Sequence, residues 1–217
     1  KKFWKLYPKS KNRRKISLNR LRISPKIRKK IMKFGKDYFD SKRDYGYGGY
    51  YYNKKFFGKI AKEFVKHYKL NNESKILDIG CAKGFLMYDL KHCLPKAEIK
   101  GIDISRYCKK KALKKVKKDI KIGSCHKLPF KSNYFDFVVS ISTIHNLPKK
   151  KIPKAFKELL RVGKKKFFIR LKAYETKKEK KFIEDWNIVA KSNLSKKEWL
   201  KLFNRVNYKG DYDFSKF

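Results

Sequence analysis

One stretch limits what this chain can fold into more than any other: Lys75-Ile76-Leu77-Asp78-Ile79-Gly80-Cys81-Ala82-Lys83-Gly84. A short apolar run carries an acid near its end, meets Gly80 and Gly84, and passes into a segment, 85–93, with helical apolar spacing. This is the pattern of a buried strand that turns sharply into a helix. Glycine permits such a turn and lets backbone approach a ligand there.

The chain repeats the unit. Residues 57–68 read as a helix with Ile60, Ala61, Phe64, Val65 and Tyr68 on one face. Short apolar strands are expected at 75–79, 99–104, 120–122, 135–141 and 166–171. Helices are expected between them, a Lys-rich one at 106–118 and another at 152–161 that Gly163 closes. Strand and helix in alternation predict an α/β fold, a doubly wound and mostly parallel sheet with helices on both faces. A Lys- and Glu-rich helix through Trp186 follows, then a helix opened by the capping box Ser195 to Glu198. Residues 208–217 are expected to supply closing strands.

Before this core, residues 1–36 hold sixteen Lys or Arg and no acid. Ser24-Pro25 marks a helix start, with Ile27, Ile31 and Phe34 on one face and Gly35 placed to end it. Residues 37–55 contain three glycines and six tyrosines, which reads as a lid over a pocket, with Arg43 and Asp44 available for polar contacts. The division expected is therefore 1–55, a basic N-terminal arm with a short helix and a Tyr/Gly-rich lid, and 56–217, the catalytic domain. Within the latter, 72–172 forms the cofactor-binding core and 173–217 the substrate-side elements.

The formal charge is +43, from 62 Lys and Arg against 19 Asp and Glu. Such charge fits a polyanionic partner. Only ten of the basic residues are Arg, however, the side chain suited to specific phosphate recognition, and the lysines run along the whole chain. Lysine-biased composition is the preferred account, and nucleic acid is not the favoured partner. No apolar run reaches the roughly 20 residues that span a bilayer, and the first residues do not read as a signal peptide, so a cytoplasmic location is expected. Cys81, Cys93, Cys108 and Cys125 form no CxxC pattern and are read as reduced thiols, with no metal site.

Three details choose the ligand of the glycine loop. A dinucleotide fingerprint needs Gly at three positions, whereas Ala82 and Phe85 occupy the latter two, and no GK[ST] follows as a Walker loop would require. Asp78 just before the loop would repel a pyrophosphate and suits a cationic amino-acid moiety. Asp103, at the end of the next strand, is placed to accept hydrogen bonds from ribose hydroxyls.

With these residues the loop resembles the first motif of class I S-adenosylmethionine-dependent methyltransferases. Gly101-Ile-Asp-Ile-Ser105 resembles their second motif, Gly123-Ser-Cys-His-Lys-Leu-Pro-Phe130 their adenine-side segment, and Tyr134-Phe-Asp-Phe-Val-Val-Ser-Ile141 their fourth strand. Four motifs in order over about 57–172 are more specific than one glycine loop. The resemblance implies a Rossmann-like, seven-stranded sheet with an N-terminal helical and loop extension. It also implies S-adenosylmethionine as cofactor, with S-adenosylhomocysteine as product. Asp78, Gly80, Cys81, Ala82 and Gly84 would hold the methionine portion, with Ala82 in place of a frequent glycine. Asp103 would bind ribose, Ile104 would lie on adenine, and Ser124 and Cys125 would stand at the adenine edge in place of the family's usual acid. Ser140 completes the cofactor set.

His145, just past the fourth strand, is the candidate base if the accepting atom must lose a proton; His126 is a second candidate. Tyr45, Tyr47 and Trp186 are the expected acceptor-pocket residues, with Trp199 as a further aromatic. No Asp/Asn-Pro-Pro-Tyr/Phe motif or catalytic cysteine pair follows the fourth strand, and 140–147 resembles small-molecule enzymes of the family. The expected activity is methyl transfer to a small-molecule acceptor. The alternatives are an RNA methyltransferase using residues 1–36, and a non-catalytic cofactor-binding scaffold.

Overall fold

A computed structural model of the chain describes residues 13–46 and 50–215. The glycine-loop strand β1 (Lys75–Ile79) lies at the centre of a six-stranded sheet. It pairs with β2 (Glu98–Asp103) on one side and β4 (Phe135–Ile141) on the other. Outside them come β3 (Ile120–Ile122), β5 (Gly163–Lys172) and β6 (Asp211–Ser215), in the order β3-β2-β1-β4-β5-β6. All five pairings are parallel. The expected seven strands are thus six among the described residues. Segment 208–217 supplies one strand rather than several, because Tyr208 turns inward onto Phe156 and Phe203 instead of extending the sheet.

Two apolar layers hold the sheet, one on each face. Leu77, Ile79, Val138, Ile169 and Leu171 face one layer, with α8 (Ile152–Val162) and α10 (Lys196–Arg205) laid over them through Phe156, Leu159, Trp199 and Phe203. Ile76, Phe137, Val139 and Phe168 face the other, under α4 (Lys54–His67) and α5 (Phe85–Cys93), which bring Phe64, Leu86 and Leu90. The period-two alternation of these strands, apolar on both sides, is what a parallel sheet covered on both faces requires.

Register then decides which polar side chains share a face. Asp78 pairs with Val139, Ile141 with Arg170, and Arg170 with Asp213. Arg170 and Lys172 therefore project to the α4/α5 side, beyond Phe168, near the carboxyl ends of the strands.

The expected helix at 106–118 is broken into α6 (Arg106–Lys110) and α7 (Lys114–Lys117). Between them Leu113 takes an extended conformation and bonds to the Lys83 carbonyl, while Ala112 and Leu113 pack on the core. Tertiary burial outweighs the helical preference of the lysines. Upstream, the segment before Ser24 contains a helix, α1 (Arg13–Leu21), where only an arm was expected. Ser24 caps α2 (Pro25–Ile31) by accepting from the Ile27 amide, as predicted. Gly35 does not end that helix; it stands at the N-cap of α3 (Lys36–Phe39). The helix through Trp186 is α9 (Lys177–Trp186), opened by a capping box from Thr176. No helix among the described residues is long and apolar enough to cross a membrane.

Phe137 is fully buried between Phe64 and Tyr68. Phe137→Ala is expected to cost about 3–5 kcal/mol of stability through lost burial and a residual cavity, read as a lowered urea midpoint at unchanged slope.

Candidate active site

In an open α/β sheet a ligand crevice forms where the strand order reverses, at the carboxyl ends of the strands. Here that point lies between β1 and β4, and a cavity of about 1660 Å³ opens there. The loop after β1 forms its floor. Gly80 has φ 81° and sits so close to Thr143, from the loop after β4, that a Cβ would fall 1.9 Å from the threonine hydroxyl. Gly84, at φ 76°, starts α5 and does not line the cavity; a Cβ there would meet Val116. Its requirement is conformation and packing, not approach to a ligand. Ala82 carries φ 48° without being glycine, a conformation that costs an L-residue roughly 1–2 kcal/mol, and its amide donates to Asp103.

Of the expected cofactor residues, Asp78, Gly80, Cys81, Ala82, Asp103, Ile104, Ser124 and Cys125 all line this one cavity. Ser140 does not. Its hydroxyl donates to the Ile79 carbonyl inside the sheet, tying β4 to the end of β1. His145 and Trp186 line the cavity as well. Tyr45 does not; it lies against the small cluster of Ile31, Ile188 and Val189. Tyr47 lies outside the described residues. Trp199 is fully buried in the core and donates to the Lys172 carbonyl, so it reaches the cavity only through β5.

The electrostatics of the floor are unusual. Asp78 is 4% exposed, and no hydrogen bond or ion pair among the described residues reaches its carboxylate. Burial, and then the charge of Asp103, push its pKa up to about 7. Asp103 is also raised by burial, but it accepts from the Ser105 and Ala82 amides at 2.8 and 2.9 Å. Two carboxylates thus share one end of the cavity, one of them without a partner, which is an arrangement for a cationic, hydroxyl-bearing ligand. The Cys81 and Cys125 thiols are held protonated by burial, with Cys125 pushed up to about 12. Among the described residues no three His, Cys, Asp or Glu side chains are grouped to hold a metal ion.

A different polarity marks the far end. His145 is 2% exposed and its Nδ1 has no hydrogen-bond partner among the described residues. Burial first, then Lys172 and Arg170, lower its pKa well below the ordinary value, so the imidazole is neutral at pH 7. His126 is lowered too, by burial and then Lys151 and Lys154, and its Nδ1 lies 2.6 Å from the Ser124 hydroxyl.

The N-terminal segment also contributes to the cavity wall. Phe34, Tyr38, Phe39, Arg43 and Tyr50 line the cavity from above. Two buried cations hold this roof. Lys83, in the glycine loop itself, pairs with Asp40 and donates to the Tyr50 carbonyl. Arg20, from α1, donates to the carbonyls of Asp44, Gly46 and Trp186, and its guanidinium lies 4.5 Å above the Trp186 ring. Neither was anticipated. Arg20 had a signal only in being an arginine among lysines.

The comparisons with known proteins enter at this geometry. A family model described as "Methyltransferase domain" matches residues 77–169. This chain carries a methyltransferase domain. A malonyl-[acyl-carrier protein] O-methyltransferase of Legionella pneumophila is 36% identical over 75 residues, covering 33% of this chain and 26% of that protein. The chain is thus matched to about a quarter of that relative's length. Among solved structures, the YcgJ protein of Bacillus subtilis aligns with a TM-score of 0.56 at 21% identity, over 67% of this chain and 66% of that one. The [4+2]-cyclase SpnF aligns with a TM-score of 0.57 at 14% identity, over 83% and 68%. These likenesses show the fold, the Rossmann-like one of class I methyltransferases. The presence of a cyclase among them shows that the fold alone does not name a reaction.

The methyltransferase domain and its fold imply S-adenosylmethionine as methyl donor, and the floor of the cavity fits it. The partnerless Asp78 matches a cationic amino group, and Asp103 is open to the cavity where ribose hydroxyls would lie.

Two outcomes follow from the site. An ionised, partnerless Asp78 destabilises the ligand-free fold: the penalty is full above pH 7, shrinks as pH falls toward the ordinary carboxylate value of 3.8, and is gone only below it. Asp78→Asn is therefore expected to raise the thermal midpoint of the donor-free protein more at pH 8 than at pH 5. Equal shifts at both pH values would contradict this account. Second, Arg20→Ala should accelerate amide exchange in 43–46 and 186–190 while β1 and β4 keep their protection.

Proposed function

We propose that this chain transfers a methyl group from S-adenosylmethionine to a small-molecule acceptor, releasing S-adenosylhomocysteine. The observation that carries the reading is the buried Asp78 carboxylate, without a partner, beside Asp103 on the floor of a roofed cavity at the strand-order reversal. A buried charge left in this state costs stability, and it is retained where a ligand of opposite charge completes it.

Asp78 holds the donor's ammonium group in this reading, and Asp103 accepts from the ribose hydroxyls. Backbone of Gly80, Cys81 and Ala82 borders the methionine portion. Ile104, exposed toward the cavity, covers the adenine face, and Ser124 with Cys125 stands at its edge. Gly84 and Ser140 act from behind the wall, keeping α5 and β4 in place. When bound, the donor supplies an electrophilic methyl group on a sulfonium, transferred by in-line displacement. The chain's own contribution is alignment and exclusion of water, through the aromatic roof and the enclosed position of His145.

Two features favour a small acceptor over RNA. The N-terminal segment described here turns its cation Arg20 inward as a brace rather than outward as a phosphate ligand. The Legionella relative is named for an acyl-group acceptor, not a nucleic acid.

Calorimetric titration is the direct test. S-adenosylmethionine and S-adenosylhomocysteine are expected to bind, and Asp103→Ala to weaken both by about 10- to 100-fold, the worth of one hydrogen bond to a charged group. Affinity for the donor should rise between pH 6 and pH 8 as Asp78 ionises. Absence of binding at millimolar donor would overturn the proposal, and binding without turnover on any labelled-methyl screen of metabolites would leave the scaffold reading.

A further inference from the structure

We propose that Lys83 and Asp40, neither of which lines the cavity, are positioning residues for the methyl donor: their ion pair holds the roof on the glycine loop and so sets how slowly the donor leaves. This rests on the donor reading above and adds to it the residues that govern the donor's residence.

The first observation is where the chain has placed one lysine. Among the described residues Lys83 is the only buried lysine, at 4% exposure. Its backbone belongs to the glycine loop, yet its ammonium group reaches the roof. There it pairs with the Asp40 carboxylate and donates to the Tyr50 carbonyl at 2.9 Å, so one cation joins two separate points of the roof. Asp40 also accepts from the Tyr107 hydroxyl of α6 at 2.8 Å. An enclosed ion pair adds little net stability over apolar side chains of the same size, and what it contributes is a fixed arrangement.

The second observation is that the roof rests on the supports of Asp103. Two of the amides that hold the Asp103 carboxylate belong to Ala82 and Ser105. Phe39 is buried in one cluster with Ala82 and Cys108, and the Phe34 carbonyl accepts from the Ser105 hydroxyl at 2.6 Å. Asp40 follows Phe39 directly, so its pair with Lys83 fixes the ring that shares a cluster with Ala82. A displaced roof therefore disturbs both supports of the carboxylate that accepts from the ribose hydroxyls.

The third is that the roof is tied to the donor half from three elements. Lys83 reaches it from the glycine loop, Ser105 and Tyr107 from α6 and its cap, and Asp89 of α5 accepts from the Tyr52 hydroxyl. Phe34, Phe39, Tyr50 and Tyr52 all line the cavity that Asp78 and Asp103 line. Loosening these residues removes one wall of the donor's site, and changes of this kind act mainly on the rate of dissociation.

The test follows radiolabelled S-adenosylhomocysteine as it leaves the full chain under an excess of unlabelled ligand. Lys83→Met and Asp40→Asn are each expected to speed its release by about 10-fold. The double variant should release it no faster than the faster single variant, because two residues that act as one pair do not multiply their effects. Phe137→Ala weakens the core away from the cavity, controls for lost stability, and should release the ligand at the wild-type rate. Tyr107→Phe removes one donor to Asp40 and leaves the ion pair intact. It should speed release by about 3-fold, and it decides the matter if a variant of the pair does not fold. Unchanged release in the pair variants or in Tyr107→Phe, multiplied effects in the double variant, or equal acceleration in Phe137→Ala would overturn the proposal. A wild-type chain that binds the ligand but gives one of these results loses this inference alone. A wild-type chain that does not bind it loses the donor reading and this inference together.

Discussion

Everything in this molecule depends on the close approach of two loops at the point where strand order reverses. The backbone at Gly80 lies against Thr143 so tightly that no side chain fits between them. That contact brings the end of β1 and the end of β4 together, and the crevice above them is what remains. Ser140 reinforces the same seam from within the sheet by donating to Ile79. The core on both faces serves this arrangement: α4 and α5 press one side and α8 and α10 the other. The strands can then end together at one edge and present their last polar residues to one cavity.

The cavity is divided by charge. At the β1/β2 end two carboxylates stand close, and burial, then the charge of Asp103, push the Asp78 pKa up to about 7. At the β4/β5 end, Arg170 and Lys172 face a neutral histidine. A cationic, hydroxyl-bearing ligand would suit the first environment.

The N-terminal segment is part of the site rather than an appendage to it. Lys83 reaches out of the glycine loop to hold Asp40 and the Tyr50 carbonyl, while Arg20 gathers the carbonyls of Asp44, Gly46 and Trp186. One brace couples the roof to the cofactor loop and the other couples it to α9. A chain with so many surface lysines has used two buried cations for this purpose, each surrounded by oxygen acceptors that offset the cost of desolvation.

The sequence by itself determined the α/β alternation, the glycine-loop strand and its neighbours, and the identities of Asp78 and Asp103. These are local signals, carried by apolar period and by residue types next to one another. The central strands stand where the pattern put them, and Ser24, Ser195 and Glu198 cap as their spacing indicated. Tertiary structure alone decided the strand count, the break at Leu113, the placement of Gly35 at a helix start and the removal of Ser140, Gly84 and Tyr45 from the cavity wall. It also decided that Arg170 and Lys172 stand near His145. Register and helix docking, not local preference, determine which side chains face one another across a sheet edge.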